Sequence, residues 1–164
     1  MIRSIKQPTV EINDEGVSLY GKQLGHKPCS SDVLNAMPYS ASRSFLKMDG
    51  TRELFVFDEA GIVFLREVDP DVVYNIAFEF ERPSWRKAWP EDPASFFRNP
   101  IRVGKVVFTP PIHRKIADKV SGQIFQDLTF YFVCQSQEVA ALSVGFPLNE
   151  AKVDPDLKAP FHKE

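Results

Sequence analysis

The chain is poor in the residues that most small-protein chemistries need. It has two cysteines, Cys29 and Cys134, and three histidines, His26, His113 and His162, in 164 residues. Two cysteines so far apart in sequence read as reduced, unpaired thiols rather than a disulfide framework. The histidines show neither HxxxH nor HxH spacing, so no zinc constellation is legible and no metal is expected. The eight glycines fall into no GxGxxG, GxxxxGK[ST] or GxSxG pattern. Dinucleotide, P-loop and serine-hydrolase readings therefore lack their signatures, and no cofactor is expected. Gly21-Lys22 and Gly104-Lys105 read as hairpin turns.

Charge of one sign is also missing. The net charge is −2, and the densest basic group, Arg82, Arg86 and Lys87, is flanked by Glu79, Glu81, Glu91 and Asp92. Nucleic acid needs a concentrated basic surface, so it is not an expected partner. No apolar run approaches the roughly 18 residues of a membrane span, and Met1 to Pro8 contains no apolar signal core. A cytoplasmic protein is the expectation.

What the chain does have is phenylalanine, fourteen residues, and proline, thirteen. The phenylalanines concentrate in strand-like segments, where they read as core. Thr9–Asn13 and Val17–Tyr20 flank the turn Asp14-Glu15-Gly16 as a hairpin, and Gly21 to Pro28 reads as a loop. Ser30 or Ser31 can cap a helix over about 31–37, with Val33, Leu34 and Met37 on one face and Pro38 ending it. Tyr39 to Ser44 reads as another loop. Leu54–Phe57 and Ile62–Leu65 pair across Asp58-Glu59-Ala60-Gly61, and Asp69-Pro70-Asp71 is the next turn. In the strand that follows, Tyr74, Ile76, Phe78 and Phe80 alternate with Asn75, Ala77, Glu79 and Glu81. Strict period two predicts one buried and one wet face.

Residues 83–100 hold four prolines with Trp85, Trp89, Phe96 and Phe97 between them. No regular element survives that spacing, yet the aromatic content argues against disorder. It reads as an ordered linker. Beyond it, a strand over Ile101–Phe108 leads to a helix over about 111–121, opened by Pro111 and striped by Ile112, Ile116 and Val120. Leu128–Cys134 and Val139–Phe146 form a hairpin, with Phe130 and Cys134 on its buried face. The tail 147–164 reads as extended. The expectation is thus a single α+β domain with antiparallel sheet and two principal helices. The order hairpin, helix, strands recurs in 8–82 and 101–146, so the chain also reads as two pseudo-repeated halves.

Candidate chemistry is sparse. Cys29 lies near His26 and just before a helix start, a setting that can activate a thiol, so a Cys–His nucleophile is one enzyme reading. The carboxylates Asp58 and Glu59, and Asp69 and Asp71, sit in turns. There they read as turn formers, or as steering charges for a basic partner. Trp85 and Trp89 with Arg86 have the composition of interface anchors. The other reading of these aromatics is a plug between the two halves.

The run Val17-Ser18-Leu19-Tyr20-Gly21-Lys22, the helix Ser30 to Pro38 followed by Ser42-Arg43, and Phe55-Val56-Phe57-Asp58-Glu59-Ala60-Gly61-Ile62 resemble a family of small bacterial proteins. Those proteins carry a strand-Gly-Lys hairpin, a DLLKALG-P-SR helix and a WDxxGI hairpin. Phe57 stands here in place of the tryptophan, and Met37-Pro38 in place of Leu-Gly. The resemblance covers about residues 10–81, and more weakly 101–146. It implies a non-enzymatic immunity protein that binds and neutralises a cognate toxin encoded by a neighbouring gene. It brings no catalytic residue with it. A small enzyme using Cys29 or a polar pocket, and an adaptor of a secretion system, remain the alternatives.

Overall fold

A computed structural model of the chain describes residues 7–82, 87–135 and 137–147. Among them are eleven strands in two sheets and two α-helices. In chain order the elements are β1 (Val10–Asn13), β2 (Gly16–Leu19), β3 (Lys22–Gly25), α1 (Ser30–Ala36), β4 (Arg43–Lys47), β5 (Arg52–Phe57), β6 (Ile62–Glu67) and β7 (Val72–Glu79). There follow β8 (Ile101–Val103), β9 (Val106–Phe108), α2 (Arg114–Ser121), β10 (Thr129–Gln135) and β11 (Glu138–Gly145). The fold is α+β with sheet dominant.

The smaller sheet runs β3-β2-β1-β8-β9, the larger β10-β11-β7-β6-β5-β4. All described pairings are antiparallel except β1 with β8, where Val10 lies beside Ile101 and Ile12 beside Val103. A parallel neighbour needs a long crossover, and nearly the whole first half of the chain lies between these strands. The region 21–28, which the sequence suggests is a loop, contains β3. Only Leu24 of that strand is buried, so it carries no alternating signal. The segment Tyr39 to Ser44 likewise runs into β4, and the strand suggested over 101–108 is a tight hairpin turning at Gly104-Lys105.

One core joins both sheets and both helices. Val10, Ile12, Leu19 and Ile101 of the small sheet belong to the same buried cluster as Phe57, Phe64, Ile76, Phe78 and Leu142 of the large one. Within the large sheet, cross-strand pairing sets Phe64 against Phe55, their rings stacked at 4.6 Å. Burying such rings is the main stabilising term here, about 1.5–3 kcal/mol for each large apolar side chain.

The opposite face of the large sheet is not wet. Asn75 is 1% exposed and Ala77 0%, and a second buried cluster gathers Leu54, Val56, Val63, Leu65 and Tyr74. The expected alternation of β7 fails at Tyr74 for a local reason. The register shifts between Leu65 and Arg66, which face Asn75 and Val73, so Tyr74 is the extra residue of a bulge. It packs in the second cluster, while Ile76 and Phe78 stay in the main core. The buried Asn75 amide donates to Ser143 Oγ at 2.8 Å, while its Oδ1 has no hydrogen-bond partner among the described residues.

Three end effects also depart from the sequence pattern. Cys29, not Ser30 or Ser31, is the N-cap of α1, and Asp32 turns back to accept from the Cys29 amide at 2.9 Å. Helix α2 starts at Arg114, not at Pro111. His113 caps it, with Nδ1 accepting from the Lys115 amide at 3.1 Å. Cys134 is exposed, not buried. It sits one residue from the end of β10, an edge strand, beside the charged Arg114 and Asp118 of α2. Phe130 is only partly buried. No helix among the described residues is long and apolar enough to cross a membrane.

Candidate functional site

The linker is the segment that the structure makes most specific. Its described residues 87–100 contain no helix or strand, yet residues 89–97 are laced as a strap around the end of the large sheet where β5 turns into β6. The anchor is the β5–β6 turn. Asp58 Oδ1 accepts from the Ala94 amide at 2.8 Å, and the Asp58 carbonyl accepts from the Ser95 amide at 3.0 Å. The Phe97 amide then donates to the Glu79 carbonyl at 2.7 Å. These bonds satisfy strap amides that no secondary structure pairs.

Strand β4 supplies the second attachment. Its alternation puts Arg43, Phe45 and Lys47 on one face. The Arg43 guanidinium donates to Asp58 Oδ1 at 2.7 Å, to the Asp92 carbonyl at 2.8 Å and to the Pro90 carbonyl. Lys47 Nζ meets Glu91 Oε1 at 2.7 Å. Within the strap, the Trp89 amide donates to Asp92 Oδ2 at 2.8 Å and the Asp92 amide to the Trp89 carbonyl at 3.0 Å. The turn 89–92 is thereby closed on itself and fixed to the sheet.

The strap can lie this close because of two residues. Phe97 is 1% exposed and packs edge-on to Phe78, ring centroids 5.3 Å apart. Gly61 has φ +70°, and a Cβ there would stand 2.2 Å from the Phe97 nitrogen. Only glycine meets both demands. Trp89 and Phe96, in contrast, stay about two-fifths exposed. Between strap and sheet lies an open cleft of about 630 Å3, bordered by Arg43, Asp58, Glu81, Arg82, Trp89 and Phe96.

The electrostatics fit a fixed scaffold. Desolvation works to raise the pKa of Asp58, but the Arg43 hydrogen bond, the Ala94 amide and the Arg43 charge outweigh it, and the carboxyl sits below its ordinary value. The hydrogen bond from Lys47 is the largest influence on Glu91 and lowers it, against a smaller opposing effect of burial.

The sequence-level candidates divide between two ends of the sheet. Asp58 and Glu59 lie where β6 begins, Asp69 and Asp71 where it ends. Six strand residues at about 3.3 Å each separate the turns by roughly 20 Å. Asp71 is engaged within the fold. Its carboxylate accepts from the Ser30 hydroxyl at 2.6 Å and the Ser30 amide at 3.1 Å, and it faces Arg66 at 3.2 Å. These partners overcome desolvation and hold its pKa below the ordinary value. Glu59 and Asp69 are exposed. Trp89 and Asp58 meet at the cleft, whereas Trp85 and Arg86 lie outside the described residues.

The Cys–His arrangement does not assemble. Cys29 Sγ stands 3.0 Å from Ser31 Oγ and 3.3 Å from Asp32 Oδ2. His26 Nδ1 faces Asp127 at 3.9 Å. The thiol thus has a hydroxyl and a carboxylate as its hydrogen-bond neighbours, and His26 pairs elsewhere. Among the described residues no three His, Cys, Asp or Glu side chains gather as a metal site would need. Sequence reasoning missed Arg43 and Lys47. Their i, i+2, i+4 spacing about Phe45 is a strand signal, hidden by the polar residues around it. Comparison with family models, curated proteins and solved structures finds no match for this chain.

Proposed function

We propose that the protein is a non-enzymatic binding protein that acts by occupancy, and specifically an immunity-type inhibitor of a toxin encoded beside it. The observation that carries the reading is the strap. It holds Trp89 and Phe96 half exposed on a backbone clamped by Asp58, Arg43 and Lys47. An aromatic anchor presented rigidly loses little entropy on binding, which is how a few residues come to dominate an interface. The cleft beside it is open, and its charged lining is largely engaged in holding the strap. That suits a partner surface better than a small substrate, which needs convergent polar groups in an enclosed site.

The cytoplasm is the proposed compartment, since both cysteines are free thiols. We also read 8–82 and 101–146 as a duplicated unit. The side-by-side pairing of their first strands, β1 and β8, supports this. The functional test is co-expression with the product of the neighbouring reading frame, followed by pull-down and a survival assay. Binding with protection is the expected result. Absence of both, together with Cys29-dependent turnover of a small substrate, would hand the chain to the enzyme reading.

A further inference from the structure

The strap has two parts, and they are attached differently. Residues 94–97 are held through backbone. The Ala94 amide meets Asp58 Oδ1, the Ser95 amide the Asp58 carbonyl and the Phe97 amide the Glu79 carbonyl, while the Phe97 ring is buried against Phe78. In residues 89–92 the Trp89 and Asp92 amides instead close the turn on itself. Among the described residues, what reaches this turn from the sheet is side chain. Arg43 donates to the Pro90 and Asp92 carbonyls, and Lys47 meets Glu91. Pro93 stands between the two parts, and a proline has no amide with which to pin the junction.

The two kinds of attachment respond differently to the solvent. The Arg43 and Lys47 side chains are 36% and 39% exposed, so both reach the turn through water-accessible contacts. Ion pairs at such exposure contribute little, because two long side chains must be ordered to make them. Salt screens what remains. A buried ring and three backbone bonds are not screened in this way. Rising ionic strength therefore loosens 89–92 while 94–97 stay in place. Arg43 also touches the firmer part, since Asp58 Oδ1 accepts from both Arg43 and the Ala94 amide. Lys47 and Glu91 belong to the looser part alone.

We propose that residues 89–92 are a salt-sensitive flap, latched to β4 by Arg43 and Lys47 and hinged beside Pro93, while 94–97 remain clasped to the end of the sheet. The turn moves as one piece because its two internal bonds travel with it. Latched, it fixes Trp89 against the sheet. Released, it carries Trp89 outward and widens the cleft that Ala88, Trp89 and Asp92 border. A dissolved anion, or an acidic group that competes for Lys47, shifts the same balance toward release. Any partner that uses Trp89 as a fixed anchor binds the latched form, so its apparent affinity scales with the latched fraction. The device goes beyond the binding-protein reading and does not depend on it.

The test labels the full chain with 5-fluorotryptophan, which gives one fluorine resonance each for Trp85 and Trp89, and Trp89→Phe assigns them. Sodium chloride is raised from about 0.01 M to about 1 M, which shortens the Debye length from about 30 Å to about 3 Å. The Trp89 resonance should move toward that of the free fluorinated amino acid at the same salt concentration. In Lys47→Met and in Glu91→Gln it should start nearer the free value and move less than about half as far, because the screened contact is already gone. Glu59→Gln, exposed at the neighbouring turn but outside the latch, should follow wild type. Amide exchange at Ala94, Ser95 and Phe97 and the far-ultraviolet dichroism should stay constant across the range. A Trp89 resonance indifferent to salt overturns the proposal, as does a Lys47→Met protein that follows wild type. Loss of protection at 94–97 in step with Trp89 overturns it too, since the strap would then open as a whole. No partner enters the measurement, so failure of the latch and failure of the immunity reading are separate results.

Discussion

Gly61→Ala is the sharpest perturbation of the strap, because it adds one methyl group and removes nothing. At φ +70° an alanine pays the left-handed penalty of roughly 1–2 kcal/mol. The new Cβ also stands 2.2 Å from the Phe97 nitrogen and 2.5 Å from the Phe96 carbonyl carbon. These are backbone atoms, so no rotamer change relieves the overlap. The strap must lift, and Phe97 then leaves its place against Phe78. Losing a fully buried phenylalanine costs about 3–5 kcal/mol. The two penalties are not additive, since a lifted strap relaxes the contact. The expected total is about 3–5 kcal/mol. At a urea slope near 2 kcal/mol/M that moves the midpoint by about 2 M.

The readout can be made specific to the strap. The only two tryptophans are Trp85 and Trp89, so intrinsic emission reports this segment and little else. Gly61→Ala should shift the native emission toward that of solvated indole while the far-ultraviolet dichroism of the sheets persists. Phe97→Ala, which leaves the backbone contact untouched, should destabilise to a similar extent with a smaller emission change. A Gly61→Ala protein within about 0.5 kcal/mol of wild type, with unchanged emission, would refute the close approach of strap and sheet.

Other expectations follow from the same contacts. Phe78→Ala should cost about 3–5 kcal/mol, whereas partly buried Phe130→Ala should cost about 1–3, and urea midpoints compare them directly. Asp58 and Asp71 have folded pKa values below their unfolded ones. Their contribution is therefore present above the unfolded value near 3.8 and fades as pH falls through the lower folded values. Acid titration of stability should show a loss below about pH 4 that Asp58→Asn and Asp71→Asn each reduce. Cys134 should react with a thiol reagent in the native protein, and faster than the partly buried Cys29. Equal slow rates would place Cys134 in the core after all.

Much of the fold was legible because most of its elements write local patterns. The β10–β11 hairpin, the β5–β6–β7 meander and both helices come from apolar spacing and turn residues within a few positions of one another. The departures come from partners distant in sequence. The second face of β7 is covered, so Asn75 and Ala77 are buried where alternation with carboxylates suggests water. The Tyr74 bulge depends on register with β6, which no local pattern encodes. Strand β3 and the β8–β9 hairpin are short, and pairing rather than propensity makes them strands.

The candidate site divides along the same line. That residues 87–100 are irregular yet held in place could be read from the prolines and aromatics of the linker, and Asp58 could be read as a turn residue. That Asp58 also receives Ala94 and Arg43 could not, since those residues are 36 and 15 positions away. The consequence is functional as well as structural. Asp58, read from the sequence as a turn former or steering charge, also holds the strap that carries Trp89, and Glu59 and Asp69 are the exposed charges of that set. On the proposed binding-protein reading, steering and anchoring therefore fall to different residues. Neutralising Asp69 should lower the association rate with a basic partner, while truncating Trp89 should raise the dissociation rate. Asp58→Asn should move the dissociation rate too, because it loosens the strap; it removes the same unit of negative charge as neutralising Asp69, so the dissociation effect is what tells the two apart. Stopped-flow and dissociation measurements at two salt concentrations separate the three. An Asp58→Asn effect confined to association would return that residue to the steering role its sequence position suggests.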